Sequence, residues 1–571
     1  MSDEELPGTP AAPDPAEKGS KKGAGAPSSR ASSSLVAAGI FLSRISGLIR
    51  TAVFARYLGA GSHADVITAG LRMPNVLQNL LGEGTLSASF IPVYSELLEE
   101  GREEEATRFA GAIFGLLSVI AGLFALAGIL LAPLLVTVLL PGFEGDRREL
   151  SIQVVRIIFP MTGFLVLSAW ALGILNSHRK FFLSYIAPVA WNGAMIATLL
   201  LLGRQLTADG LVMAVAWGAL LGGALQFLVQ LPWVLRLEPR FRPSLNLWMA
   251  PVREAVRNAG PAIAGRGVVQ ISAWVDLLLA SFLAAGAVAV IGYAQTLYLL
   301  PISLFGMSVA AAELPELSRN RSGGTEALRL RTNSGLEQIA FFVIPSFVAF
   351  VFLGDSLIAA LLQRGEFSRT DTILVHLTLI GFSVGLVAST ATRLFSSTFF
   401  ALRDTRTPAR VAVIRVMVAA LLGLFLMTQF EAVPAQSIGG GSLVIPARLI
   451  SWGLLTNVTI EGRHLGAVGL ALGSGLAAWV EWDLLRRALR VRIGAVGPRM
   501  RVVFRMLVAA LLATVAGWVV RLLIGEMNPL VAGVLIFSAY GIVYFGAAIA
   551  FRLPEADRVT SLLKRLSRRT G

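Results

Sequence analysis

The sequence predicts an all-α, polytopic membrane protein with about fourteen transmembrane helices, organised as two halves of six plus two C-terminal helices. Three observations carry this expectation. The chain has 571 residues, of which 55% are hydrophobic and only 15% charged, with mean hydropathy +0.71. A soluble chain of this length carries more charge. Apolar runs long enough to cross a bilayer, which needs about 20 residues, recur along almost the whole chain. Finally, one half of the chain weakly resembles the other. Barrel strands would give short alternating segments, and none is visible.

The expected spans are residues 34–58, 64–82, 106–139, 150–175, 183–203, 208–235, 258–284, 288–313, 336–362, 372–401, 408–428, 465–489, 502–524 and 529–551. Residues 1–32, rich in Pro, Ala, Gly, Ser and Lys, read as a disordered tail. No short apolar core with a cleavage site precedes the first span, so no signal peptide is expected. The first span, SSLVAAGIFLSRISGLIRTAVFARYLG, carries Arg44, Arg50 and Arg56. Charge at membrane depth is costly and marks a watery cavity or a partner. Six residues are roughly 600° of helix, so successive arginines sit about 120° apart and form no single stripe. Arg56 lies at the helix end, where it can snorkel. Arg44 and Arg50 lie deeper.

The second and eighth spans correspond. Ala60-Gly61, Met73-Pro74 and SFIPVYS in one match Ala285-Gly286, Leu300-Pro301 and AELPELS in the other, pairing Pro92 with Pro315 and Ser95 with Ser318. Such similarity is what two parallel repeats leave in a transporter. It places an N-terminal lobe at 33–240 and a C-terminal lobe at 241–490, followed by two helices within 491–552 and a basic tail at 553–571. Pro74 and Gly82-Glu83-Gly84 interrupt the second span, and broken membrane helices are tolerated where the freed backbone lines a cavity. Glu83 in that break reads either as a helix cap or as a hinge beside the cavity.

Loop charge sets the orientation. The even-numbered connections hold 23 Lys and Arg against 7 in the odd-numbered ones. By the positive-inside rule the even connections and both termini are cytoplasmic. The net charge of +14 is mostly this bias and does not imply nucleic-acid binding. The basic end KRLSRRT suits anionic headgroups, so membrane lipids are expected partners. With no cysteine and four scattered histidines, thiol chemistry, disulfides and cysteine-ligated metal are excluded and a histidine metal site is not expected. Neither a P-loop nor an Asp-x-Asp motif is present, so direct ATP use and a glycosyl- or acyltransferase are disfavoured. The chain is expected not to be an enzyme, and no cofactor is expected.

SRISGLIRTAVFARYLGAGSHADVITAGLRMPNVLQNLLGEGTLSASFIP (43–92) resembles the opening of the MurJ/MviN family, lipid II flippases of the multidrug/oligosaccharidyl-lipid/polysaccharide exporter superfamily. LQRGEFSRTDT (362–372), FFALRDTRTPARVAV (399–413) and GRHLGAVGLALGSGLAA (462–478) are similar to later family segments. The resemblance covers nearly everything from residue 33. It implies two six-helix lobes around a central cationic cavity, a further helix pair holding a lipid tail, and movement of undecaprenyl-pyrophosphate-linked peptidoglycan precursor across the cytoplasmic membrane by alternating access. Arginine suits that headgroup independently, because its planar fork binds phosphate oxygens two at a time.

By position the resemblance implies substrate binding by Arg44 and Arg50, and roles for Asp65, Asn75 and Glu83. Asp65 and Glu83 are assigned to gating or ion pairs and Asn75 to assisting the pyrophosphate. Two positions depart from the family pattern: Gln78 and Thr296 stand where many members have cavity arginines. Arg72 and Arg266 are the candidates to compensate, against structural readings for each. Asp276, deep in the seventh span, is a functional candidate as a lone intramembrane carboxylate. The resemblance links its position to sodium in some members, but the eleventh span lacks the other ligands and offers Arg415, so a structural pair competes. Arg393 in the tenth span carries the same ambiguity. The Gly-rich connection 429–463 reads as a lineage-specific insertion. The coupling ion is left open, with sodium as one candidate, and cell-wall synthesis proteins are further candidate partners. The rival functions are export of another lipid-linked glycan or of small cations, and a non-transporting cell-wall scaffold.

Overall fold

The computed structural model describes residues 29–306, 309, 324–431, 459–525 and 527–556. Within these, the side chains of residues 29–38, 40, 75–77, 83, 262, 264–266 and 268–269 lie outside the described set. Apart from a two-stranded β-ribbon, Thr459–Ile460 with Arg463–His464, the described chain is helix and connecting turn. The helices are α1 (Ser29–Leu58), α2 (Ser62–Leu81), α3 (Glu83–Glu99), α4 (Glu103–Leu130), α5 (Ala132–Leu139), α6 (Gly145–Ser177), α7 (Phe181–Leu202), α8 (Ala208–Leu237), α9 (Ala250–Ser281), α10 (Ala287–Pro301), α11 (Gly324–Leu362), α12 (Arg369–Ser383), α13 (Leu386–Ala401), α14 (Arg406–Phe430), α15 (Gly466–Ile493), α16 (Met500–Ile524) and α17 (Pro529–Ala550).

Three pairs of these helices continue one another across short breaks: α2 with α3, α4 with α5, and α12 with α13. Counted as rods, the described helices are compatible with the fourteen expected spans. Ten are long and apolar enough to cross a membrane singly, and α12–α13, bent by 43° at its break, is an eleventh. The rods that fail this test are α1, α2–α3 and α9. They are the ones that carry Arg44, Arg50, Arg72, Glu83, Arg266 and Asp276. A helix facing a polar cavity needs fewer apolar residues than one facing lipid.

The break at Gly82 has a local cause. Pro74 removes a backbone donor within α2. Eight residues on, the Gly82 N–H still reaches Gln78 O at 2.7 Å, in a geometry where a Cβ would collide with that same carbonyl. The second span is therefore two helices and runs to Glu99, well past the expected end at 82. In the eighth span, Pro301 is followed by a π-helical turn, Ile302–Gly306. The related segments of the two halves thus each carry a proline and an irregularity. Pro315 and Ser318, the second half of that correspondence, lie outside the described residues, as do most of the 429–463 connection and both terminal tails.

The first eight helices pack mainly among themselves, through α1 on α7, α2 on α6, α4 on α6 and α8 on α6 and α7. Helices α10–α15 form the second lobe, with α15 against α12, α13 and α14. Helices α16 and α17 lean on α11. Two ion pairs clamp α16 along α11: Arg499 to Glu337 at 2.7 Å and Arg521 to Asp355 at 2.9 Å. Outward-facing Leu522 and Leu523 are about 80% exposed, and Ile542 is nearly so. Exposed apolar surface on this scale belongs against lipid.

Candidate functional site

The seam between the lobes is polar. α1, α2, α7 and α10 enclose a cavity of about 270 Å³ lined by Arg50, Thr51, Thr68, Arg72, Trp191, Gln295 and Thr296 among others. The Arg50 guanidinium lies over Trp191, 4.8 Å from the ring centroid. That contact keeps a cation at membrane depth without neutralising it. Arg72 donates from Nη2 to Gln295 Oε1 at 2.6 Å, joining α2 to α10. A smaller cavity of about 160 Å³ opens beside it and shares Arg72 and Gln295, with Asn79, Gln270, Trp274 and Asp276 on its α2 and α9 walls.

Several expected site residues therefore come together. Arg50 and Arg72 face one cavity, and Asp276 faces the adjoining one, where the charge of Arg72 acts on it ahead of that of Arg415. Arg415 itself pairs with Glu481 at 3.2 Å, so it is not the dedicated partner of Asp276. Arg44 is exposed, six residues before Arg50, and lines neither cavity. Arg393 is exposed too. Thr296 lines the main cavity, as its alignment implies; Gln78 lines neither, and its side chain rests near Gly82. The side chains of Asn75, Glu83 and Arg266 lie outside the described residues. Trp191, Gln270, Trp274 and Gln295 carried no sequence signal, because a single Trp or Gln in a membrane span is common on packed faces too. Among the described residues no three acidic or imidazole side chains gather as a metal site.

Asp65 sits apart, at the end of the bundle that loop charge assigns to the outside. It is fully buried and accepts hydrogen bonds from Gly286 N at 2.6 Å and Ala289 N at 2.7 Å, so it caps α10 from the opposite lobe. A carboxylate is favoured at a helix N-terminus by the exposed N–H groups and the dipole. Arg147 completes its pairing. Gly286, with φ +98°, allows the approach, since a Cβ would strike Ala60 O. The paired dipeptides Ala60-Gly61 and Ala285-Gly286 of the repeat thus meet face to face. Around them Glu366 N donates to Arg56 O at 2.9 Å, Tyr293 Oη to Gly59 O at 2.8 Å, and Arg463 bridges Asp371 and Ala60 O. The lobes are closed against each other at this end.

A larger cavity, about 510 Å³, lies at the other end, between α4 and α8, with Glu103, Glu104, Arg108 and Arg240 on its walls. Its mixed charges suit an anion less than the arginine cavity does. Glu238 at its base is buried and accepts from Tyr94 and Thr107, with His178 beside it. Burial opposes its ionisation, but His178 foremost, then the hydrogen bonds from Thr107 and Tyr94, outweigh that and hold the carboxyl below its usual range.

Two lobes of membrane helices meeting at a cationic cavity and closed against each other at one end have the architecture of a membrane transporter. A family model described as "Lipid II flippase MurJ" matches residues 54–445, and the chain belongs to that family. A probable lipid II flippase from Rhizobium tropici is 34% identical over 399 residues, covering 67% of this chain and 73% of that one. One from Rhizobium meliloti is 32% identical over 465 residues, covering 77% and 84%. Among solved structures, a lipid II flippase in an inward closed conformation superposes with TM-score 0.71 at 22% identity, over 91% of this chain and 99% of that one. An inward-facing MATE transporter of the MOP superfamily reaches 0.60 at 18% identity, over 78% and 95%. These two likenesses bear on fold alone. The family is one of transporters, not enzymes.

Proposed function

We propose that this chain flips lipid II, the undecaprenyl-pyrophosphate-linked peptidoglycan precursor, across the bacterial cytoplasmic membrane by alternating access. The observation that carries the reading is Arg50 at membrane depth, stacked on Trp191 in a cavity between lobes, in a member of the lipid II flippase family. A pyrophosphate gives Arg50 and Arg72 paired acceptor oxygens, and charge-assisted hydrogen bonds of this kind contribute about 1.5–3 kcal/mol each. Arg44, nearer the helix start, is positioned to meet the headgroup as it arrives, with Arg266 and Asn75 as further ligands. Asp65 holds the outer end shut, Glu83 lies at the hinge between α2 and α3, and Asp276 tunes the charge of Arg72.

In this reading the lobes are residues 33–240 and 241–490, both termini are cytoplasmic, and cell-wall synthesis proteins are the candidate neighbours. Thr296 in the cavity wall, where many members have arginine, favours as a second reading a different lipid-linked glycan with fewer phosphate contacts. Complementation of a strain depleted of its own flippase, paired with flipping in proteoliposomes of lipid II against other undecaprenyl-linked glycans, tests both. Failure to move lipid II while moving another glycan would select the second reading.

A further inference from the structure

We propose that the smaller cavity between α2 and α9 is a subsite for an uncharged, N-acetylated sugar joined to the pyrophosphate. This rests on the flippase reading above and adds to it a place for the first sugar. The volume, about 160 Å³, exceeds the roughly 30 Å³ share of a single water and accommodates an acetamido group with a neighbouring hydroxyl.

The polar atoms around it are arranged for a neutral ligand with both donors and acceptors. Trp274 Nε1 is buried and has no hydrogen-bond partner among the described residues. Buried donors are nearly always satisfied, so an orphan of this kind calls for an acceptor that the protein does not supply. Asp276 accepts no hydrogen bond from any described residue, leaving a strong acceptor among the lining of the same cavity. Asn79 and Gln270 meet only through a long 3.4 Å bond, which a ligand amide can replace on both sides. Charge narrows the choice further. The Asp276 carboxylate disfavours a second anion here, and the Arg72 guanidinium disfavours a bare cation. A sugar hydroxyl donating to Asp276 and an acetamido carbonyl accepting from Trp274 satisfy these two groups without adding charge.

Position ties the two cavities together. Arg72 and Gln295 form their common wall, so a pyrophosphate held by Arg50 and Arg72 places the attached sugar at this opening. The arginines then read the anion and the α2–α9 wall reads what it carries.

The test compares the full-length protein in nanodiscs binding lipid II and sugar-free undecaprenyl pyrophosphate, by native mass spectrometry. The wild type is expected to prefer lipid II. Trp274→Phe keeps the ring bulk but removes the indole donor, and Gln270→Leu removes an amide from the same wall. Each should reduce the lipid II preference by about 3- to 10-fold, the scale of one neutral hydrogen bond. Equal losses for both ligands, or an unchanged preference in both folded, monodisperse variants, would overturn the subsite. Wild-type protein that binds undecaprenyl pyrophosphate without preferring lipid II overturns the subsite alone. Wild-type protein that binds neither overturns the flippase reading together with it.

Discussion

Arg50 and Arg56 lie on one helix and differ in everything that matters to an anion. Arg50 is half-buried over Trp191 in the cavity, whereas Arg56 is exposed at the helix end, near Tyr57. Arg50→Ala should abolish flipping while the protein still inserts, because removing a charge from membrane depth eases insertion. Arg50→Lys should restore only part of the activity, since lysine keeps the charge but loses the fork. Arg56→Ala should stay within a few-fold of wild type. Complementation with membrane abundance measured for each variant decides this; full activity of Arg50→Ala would remove the pyrophosphate role. Glu238 gives a residue-scale prediction of a different kind. Its carboxyl is held below the ordinary value of 4.5, so the ionised form stabilises the fold above that value. This contribution is lost as pH falls through the depressed folded value. Thermal melting in detergent should therefore decline below about pH 4.5 in the wild type and change less steeply in Glu238→Gln. Parallel pH curves for the two would show that the Tyr94–Thr107–Glu238 network does not couple to folding.

At the scale of elements, the junction of α2 with α10 is the informative one. Asp65 binds the first turn of α10 and Arg147 together, so one side chain fastens helices of both lobes. Asp65→Asn retains one acceptor oxygen but leaves Arg147, only 15% exposed, without its counter-charge. Breaking a buried pair by removing one partner costs about 3–5 kcal/mol. The expected result is a loosened outer end, read as faster labelling of a cysteine at Thr296 by a membrane-impermeant thiol reagent added outside. Unchanged labelling would mean that Tyr293, Arg463 and the 362–368 turn hold the closure without Asp65. This junction also marks how far the sequence could be read. The fourteen rods, the arginines of α1, the break at Gly82 and the matching of Ala60-Gly61 with Ala285-Gly286 all have local causes, namely apolar length, charge at depth, Pro and Gly, and were legible. That the two matched dipeptides touch, that Arg147 from the first turn of α6 pairs with Asp65, and that the charge of Arg72 acts on Asp276 ahead of that of Arg415 depend on helices brought together by packing. No periodicity encodes such contacts. Trp191 and Gln295 were invisible for the same reason, since only the assembled cavity distinguishes them from other tryptophans and glutamines in apolar helices.

At the scale of the whole molecule, alternating access requires the closed end to open and the chain to have one fixed orientation. Both requirements can be tested on one background, because the native chain has no cysteine. Orientation comes first. Single cysteines at exposed Arg240 and Gln205 lie on connections that the positive-inside rule assigns to opposite sides. An impermeant reagent outside intact cells should label the cysteine at 205 and spare that at 240; the reverse pattern would invert the topology. Opening is then tested at the seam itself. The backbone at Gly286 packs against Ala60 and Gly61, and neither Gly61 nor exposed Ala285 is tightly enclosed by side chains. A Gly61→Cys, Ala285→Cys pair bridged by a short bifunctional thiol reagent should hold the lobes as they stand. The bridged protein should still bind lipid II if its other end admits the headgroup, yet transport none. Reduction of a cleavable bridge should restore flipping, and each single-cysteine variant treated the same way should remain active. Such a bridge blocks separation of the lobes at this seam. Undiminished flipping by fully bridged protein would therefore show that the substrate crosses without separation of α2 from α10, and alternating access about this junction would be abandoned.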